Sequence, residues 1–368
     1  MTVKSHQPLQ HGRLSRLESR LSRLAPIAVD PRPQHGPAPE VSFIVCTRNR
    51  VAVLEPCIRS IQAACRAHPA FAAELVVVDN GSTDRTAERL ASIAELSDIP
   101  LTAVCEPRRG LAAARNAGLA RARGRVLVFV DDDCQVHGDY LSDLQRHYAS
   151  GERVVRGGRV EIGDARDLPF TIKRSPVRER LTSDVHPGGF VLGCNMTMHR
   201  DVAARIGLFD ERFGAGGPLR SAEDTDYLVR AVLLGIPVEY VPDMTIFHHH
   251  GRRDRKAIDR LHRDYSLGNG GLCLKHVRHA PWLLRHFYWA VRSAFRELVK
   301  GPAFDCELKL SHWPIVAMNM LGAAKFAMLV LARSPEAPQV RRDQQAQDRQ
   351  TQDRQDQQAN AEARVNTP

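Results

Sequence analysis

Three consecutive carboxylates, Asp131, Asp132 and Asp133, follow directly on the apolar run Val126-Leu127-Val128-Phe129-Val130. Adjacent acids repel one another, and losing hydration adds to that cost unless a cation compensates it. Hard divalent cations take oxygen ligands, and Mg²⁺ keeps waters and phosphate oxygens in its shell. An acidic turn at a strand end reads the same way on spacing alone. Two more polar clusters follow apolar runs: Thr47-Arg48-Asn49-Arg50, and Asp79 to Asp84. A further acidic group, Glu223-Asp224-Thr225-Asp226, opens a helical pattern. There, favourable placement near the positive end of a helix is explanation enough by itself. His248-His249-His250 invites a metal-site reading. Neighbours in an extended segment point to opposite faces, so His248 or His250 is expected inward, not all three.

These groups need elements to position them. Val126–Val130 is short, apolar and preceded by Gly124, which reads as a strand buried on both faces. Its acids then sit at the C-terminal end, where open α/β sheets bind ligands. Val41–Cys46, Leu75–Val78 and Leu101–Cys105 read as strands, with a helical pattern over 51–67. An Ala-rich helix from Gly110 to Ala122 carries Arg115 and Asn116. The alternation predicts an α/β fold with a mostly parallel sheet flanked by helices. Three polar clusters then share one rim. Further on, the pattern predicts a helix over 139–149, strands over 153–160, Val191–Met198 and Val238–Val241, and a short helix at Asp201–Ile206. Residues 163–188 lack periodicity, which makes them a functional or mobile loop.

The chain has 368 residues, 43% hydrophobic and 26% charged, with a formal net charge of +10. That is ordinary for a soluble globular protein. Residues 251–300 hold twelve Lys or Arg against four Asp or Glu, a local +8. Such a segment suits an anionic partner. The eight cysteines are scattered with no CxxC pair, which suggests a reducing compartment and no zinc site. No apolar segment opens the chain, so no signal peptide is expected. Leu14, Leu17, Leu21 and Leu24 form a stripe flanked by arginines. It reads as a membrane-surface or partner helix, or as one packed on its own domain. Five prolines in 26–39 mark a linker. Residues 252–333 read as a helical C-terminal extension with aromatics. Within it, 313–332 approaches the length of a membrane span. Asn319 and Lys325 favour an interfacial or docked helix instead. The Gln-, Asp- and Arg-rich tail 334–368 is expected to be disordered.

Five segments in order carry a resemblance: Val-Ser-Phe-Ile-Val-Cys-Thr-Arg-Asn-Arg (41–50), Val-Val-Val-Asp-Asn-Gly-Ser-Thr-Asp (76–84), Gly-Leu-Ala-Ala-Ala-Arg-Asn-Ala-Gly (110–118), Phe-Val-Asp-Asp-Asp (129–133) and Gly-Leu-Phe-Asp-Glu-Arg-Phe with Glu-Asp-Thr-Asp-Tyr (207–213, 223–227). Together they resemble the family 2 glycosyltransferases of the GT-A fold, from about Val41 to Gly251. The resemblance implies a glycosyltransferase domain over 41–251, with a nucleotide-binding half (41–135) and an acceptor half (136–251). It implies that Thr47, Arg48, Asn49, Arg50 and Asp79 hold the nucleoside, and that Arg115 and Asn116 frame the nucleotide. Small neighbours of Arg115 would let the ligand approach. Asp131 and Asp133 match a DxD clamp for Mg²⁺ or Mn²⁺. Asp132 would reach toward the ribose or sugar, and His248 toward the diphosphate or metal. Asp224 matches the general base of an inverting transfer, with Glu223 and Gly193 on the acceptor side.

The function these residues imply is transfer of a sugar from a nucleotide-sugar donor to a hydroxyl of a cell-surface polysaccharide or lipid-linked glycan. The enzyme would be cytoplasmic, peripheral at an anionic inner membrane face. A nucleotidyltransferase-like α/β enzyme also places acids at strand ends, but usually with a Gly- or Lys-rich phosphate loop, which Thr47–Arg50 is not. A non-catalytic nucleic-acid-binding protein would fit the pI of about 9.5. Its helix-turn-helix, zinc-finger or RNP signatures are missing, so no nucleic-acid partner is expected.

Overall fold

The computed structural model describes residues 38–299, 301–304 and 310–332. The leucine stripe, the linker up to residue 37 and the tail 334–368 lie outside the described residues. The chain divides into two compact units, Met1–Ala323 and Ala324–Pro368, and the site belongs to the first.

The first half alternates as its sequence demands: β1 (Val41–Thr47), α1 (Val51–Ala67), β2 (Ala73–Asp79), α2 (Thr86–Glu95), β3 (Leu101–Cys105), α3 (Leu111–Arg121) and β4 (Val126–Asp131). β3, β2, β1 and β4 lie side by side and parallel. Successive side chains of a strand point to opposite faces. Val41, Phe43, Val45, Val128 and Val130 therefore pack against α1, while Ile44, Val76, Leu127 and Phe129 pack against α3. Both faces are covered, which is why these strands are continuous apolar runs. Phe43 and Phe129 are no more than 1% exposed. Burial of a side chain of that size contributes about 1.5–3 kcal/mol.

The rest of the chain is β5 (Cys134–Val136), α4 (Tyr140–Tyr148), β6 (Val155–Gly157), β7 (Val160–Ile162), β8 (Glu179–Arg180), β9 (Asn195–His199), α5 (Arg200–Ile206), α6 (Glu223–Leu233), β10 (Val238–Tyr240) and β11 (Ile246–His248). Three helices follow: α7 (Arg255–His276), α8 (Leu283–Leu298) and α9 (His312–Ala332). The main sheet has the order β3-β2-β1-β4-β9-β6-β10-β8. β9 runs antiparallel to both β4 and β6, so the sheet is parallel in its first half and mixed beyond.

Several expectations change here. The strand expected over 153–160 is two strands in two sheets, separated by Gly158. A Cβ on Gly158 would stand 2.2 Å from the Met244 carbonyl oxygen, so the chain turns there against backbone. The strand expected from Val191 begins at Asn195, because 188–194 form a turn. A second sheet, β5-β11-β7, had no periodic signal, since three-residue strands are too short for one.

Candidate active site

Parallel register puts the three rim clusters together. Thr47 is paired with Asp79, and Cys46 with Asp131. The strands are therefore about 4.8 Å apart where their polar ends emerge. They open on a cavity of about 1,100 Å³ that continues between α6, α7 and α8. Thr47, Arg48, Arg50, Arg115 and Asp131–Asp133 line one end. Gly193, Glu223, Asp224 and His248 line its flank.

The three acids have different surroundings. Asp131 keeps 34% of its side chain exposed and touches Arg115 Nη2 at 3.2 Å. Asp132 is buried, accepts a 2.7 Å hydrogen bond from the Thr47 hydroxyl and pairs with Arg50 at 2.9 Å. Burial nevertheless pushes its carboxyl up to about 7, with Asp133 and Asp131 adding to the rise against Arg50. Asp133 is also buried, but His248 at 3.4 Å and Arg50 at 2.7 Å hold it well below the usual carboxylate range despite that burial. His248 is raised to about 9: burial works against its charge, and the bond to Asp133 outweighs it. Arg50, His248 and Arg115 are thus the cations that face the three acids of the rim. Asp131 and Asp133 are oxygen donors of the kind Mg²⁺ or Mn²⁺ takes, and the His248 imidazole stands beside Asp133.

His248 reaches Asp133 because of the small second sheet. β11 pairs with β5 in a register that sets His248 opposite Cys134, the residue after Asp133. The His249 amide donates to the Asp133 carbonyl at 2.8 Å. His248 and His250 are both buried, at 6% and 7% exposure, and their rings meet edge to face. Two of the three histidines therefore turn inward, on the same side of an alternating strand.

The flank is organised by Arg115, whose side chain is 3% exposed. It donates to Glu223 Oε1 at 2.8 Å and to Asp131, so one cation spans both walls. Burial would lower it; Glu223 and Asp131 hold it raised. Glu223 itself is pushed up to about 7 by burial and by Asp224, against the pull of Arg115. Asp224 is less buried than Glu223 and is held mainly by backbone. Its Oδ2 accepts from the Gly193 amide at 3.0 Å and its Oδ1 from the Thr225 amide at 2.6 Å. A Cβ on Gly193 would come within 2.7 Å of Arg115 and 3.0 Å of Asp224. Arg220 (φ 62°) and Ala222 (φ 70°) turn the chain into α6 through the left-handed region. That conformation costs about 1–2 kcal/mol for a residue with a Cβ.

Not every expected site residue reaches the cavity. Among its lining residues Asn49, Asp79 and Asn116 are absent. Asn49 accepts from the Thr83 amide, and Asp79 from the Ser82 amide, so both join the loops after β1 and β2. Asn116 exchanges hydrogen bonds with the Phe209 backbone at 2.8 and 3.0 Å, pinning the segment after α5 onto α3. The small residues around Arg115 serve packing: a Cβ on Gly118 would lie 2.4 Å from Ile44 Cγ2. Asp226 is fully buried among Arg230, Lys275 and His276, and holds α6 to α7. Sequence reasoning missed Asn80, which lines the cavity and receives the Gly110 amide. It also missed the approach of Cys134 and Cys194 to His248, which no local spacing could reveal.

The fold defines the class. The chain is similar to the S. aureus TarS fragment 1–349 in complex with UDP-GlcNAc, at a TM-score of 0.51 and 18% identity. The match covers 65% of this chain and 67% of that one, and it shows a GT-A glycosyltransferase fold. Residues 42–207 match Glycosyl transferase family 2, and the chain carries a domain of that family. Glu223, Asp224 and His248 lie beyond the matched residues. Glycosyltransferase AglE of Haloferax volcanii is 25% identical over 238 residues, 63% of this chain and 73% of AglE. The undecaprenyl-phosphate 4-deoxy-4-formamido-L-arabinose transferase of Pseudomonas aeruginosa is 35% identical over 155 residues. That alignment spans 41% of this chain and 45% of the relative, under half its length.

Proposed function

We propose that the chain transfers a glycosyl group, with inversion, from a nucleoside diphosphate sugar to a hydroxyl of a glycan or lipid-linked acceptor. One observation carries this reading: Asp131 and Asp224 open on the same cavity and are tied through Arg115 and Glu223. The acceptor oxygen attacks the anomeric carbon, the bond from that carbon to the diphosphate breaks, and the acceptor's proton passes to the Asp224 carboxylate. Gly193 and Thr225 amides fix the orientation of that carboxylate. Asp131, Asp133 and His248 would hold Mg²⁺ or Mn²⁺, which supplies Lewis-acid stabilisation to a leaving diphosphate. Arg48 and Arg50 form the nucleotide-facing edge; Asp132 sits beneath it, tied to Thr47.

In this reading residues 41–135 take the donor and 136–251 the acceptor, with 252–333 as an extension that carries the protein to an anionic membrane surface. On α8, Leu284, Tyr288, Phe295 and Leu298 are exposed at helical spacing, with Arg285, Arg292 and Arg296 on the same helix. That combination suits an interfacial helix on acidic lipid. α9 is long and apolar enough to cross a membrane by length and composition. The relatives named above include one whose name contains undecaprenyl-phosphate, a lipid, which supports work at a membrane here. A panel of nucleotide-sugars with Mn²⁺, scored by thermal shift and by donor hydrolysis, tests the assignment. One donor class should stabilise and be hydrolysed; a panel without any response would refute a nucleotide-sugar donor.

A further inference from the structure

Behind the carboxylate rim, three separate elements bring two thiols and an imidazole together. Cys134 opens β5, Cys194 ends the turn before β9, and His248 closes β11. Their ligand atoms all lie within 4.8 Å of one another, and all three residues are buried. Asp133 stands at the same point: its Oδ1 is 3.4 Å from His248 Nε2 and 3.9 Å from Cys134 Sγ. Asp133 thus borders the three-residue group on its His248 and Cys134 side.

The arrangement matches a tetrahedral ion in size. Zinc–sulfur bonds of about 2.3 Å and zinc–nitrogen bonds of about 2.0 Å set neighbouring ligand atoms roughly 3.3–3.8 Å apart. The donors need contract by only about an ångström to meet that geometry. Both cysteines also belong to the apolar cluster under α1 and α4, and as core thiols they would act as small hydrophobes. A histidine and an aspartate at the same point do not fit that purpose. Cys194 and His248 line the large cavity, which gives an ion a way in. Neither thiol has a part in the glycosyl transfer.

We propose that Cys134, Cys194 and His248, with Asp133 as fourth donor, form a site for a soft divalent cation of the zinc class. It shares His248 and Asp133 with the oxygen-rich site at Asp131 and differs from it by its two sulfur donors. Thiolate and imidazole donors select zinc-like ions over Mg²⁺ and Mn²⁺. Binding releases the two thiol protons, and that of His248, to solvent. On the proposed function, His248 and Asp133 serve both sites, so zinc would oppose the donor cation.

Cobalt is the probe. The reduced, metal-free full chain is titrated with Co²⁺ and followed in the near-ultraviolet and visible. One equivalent should produce a thiolate-to-cobalt band with the visible bands of a tetrahedral ion, and Zn²⁺ should displace it. Cys134→Ser and Cys194→Ser should each abolish the thiolate band of this site, while Cys273→Ser and Asp131→Asn keep it. No band in the wild type, or a band indifferent to both serine changes, overturns the proposal. So does a band lost with Asp131→Asn, which would merge the two sites. Zinc-edge X-ray absorption on the wild-type chain needs no variant: two sulfur neighbours at about 2.3 Å are expected, and a shell of oxygen and nitrogen alone contradicts it. The donor-site reading fails separately, through nucleotide binding that is indifferent to Mn²⁺ while the cobalt band is present.

Discussion

The two walls of the cavity handle charge in opposite ways. At the rim, Asp132 and Asp133 are buried and gripped by side chains: Thr47, Arg50 and His248. On the flank, Asp224 is held by two backbone amides and remains partly open. Charged side-chain partners stabilise a fixed negative charge and hold Asp133 far down. The two amides fix the orientation of the Asp224 carboxylate, which stays open to the cavity with Arg115 nearby. The rim is therefore suited to holding a charged ligand, and the flank to moving a proton. Arg115 is the link that makes the two walls one site.

The sharpest break between the walls should come from Asp224→Asn. It keeps size and hydrogen-bonding capacity but removes the proton acceptor. General-base contributions are on the order of 10²–10⁴-fold, so kcat should fall by that amount while nucleotide affinity holds. Steady-state kinetics beside calorimetry would show it. Near-normal turnover in Asp224→Asn, with Glu223→Gln inactive, would shift the base to Glu223. Asp226 offers no third choice, since it is fully buried and paired with Arg230 and Lys275, with His276 hydrogen-bonded to it.

A smaller effect should follow from Gly193→Ala. The added Cβ has no room beside Arg115 and Asp224. A displacement of about 1 Å in a positioning group can cost roughly 10²-fold. Turnover should drop with little change in thermal stability; a variant with unchanged turnover would mean that Asp224 need not stay where Gly193 holds it.

Glu223 gives the smallest and most diagnostic effect, through pH. Its folded-state carboxyl titrates at about 7, above the ordinary carboxylate range. Below that range both states hold the proton. As pH rises toward 7 the unfolded chain releases it first, so folding loses stability over this window. Gln cannot titrate. The melting temperature of Glu223→Gln should therefore match wild type near pH 5 and exceed it increasingly up to pH 8. A gap that stays constant across that range would remove the buried-acid account.

Much of this was legible in the amino-acid order, and the limits have physical causes. Apolar runs ending in Thr47, Asp79 and Asp131 had a clear reading, because strands buried on both faces leave no other place for polar groups than their ends. The placing of Asp131–Asp133 at the end of a buried strand was visible too. The parallel sheet could be read only to β4, since beyond it the strands shorten to two, three or five residues. The bonding of Asn116 was not legible: its amide faces the Phe209 backbone, and nothing local in the sequence signals that contact. Alternation marked His248 or His250 as inward, but the approach of His248 to Asp133 depends on β5 and β11 pairing across more than a hundred residues. The approach of Cys194 to Cys134 is likewise a product of the fold.

The division of labour between rim and flank has one direct measurement. Calorimetry of UDP, GDP and TDP binding, with and without Mn²⁺, is run on wild type, Asp133→Ala and Asp224→Asn. The account predicts that Mn²⁺ strengthens binding of at least one nucleotide to wild type and to Asp224→Asn alike, and that Asp133→Ala loses that gain. Equal affinities with and without Mn²⁺ in wild type, or a gain retained by Asp133→Ala and lost by Asp224→Asn, would contradict it.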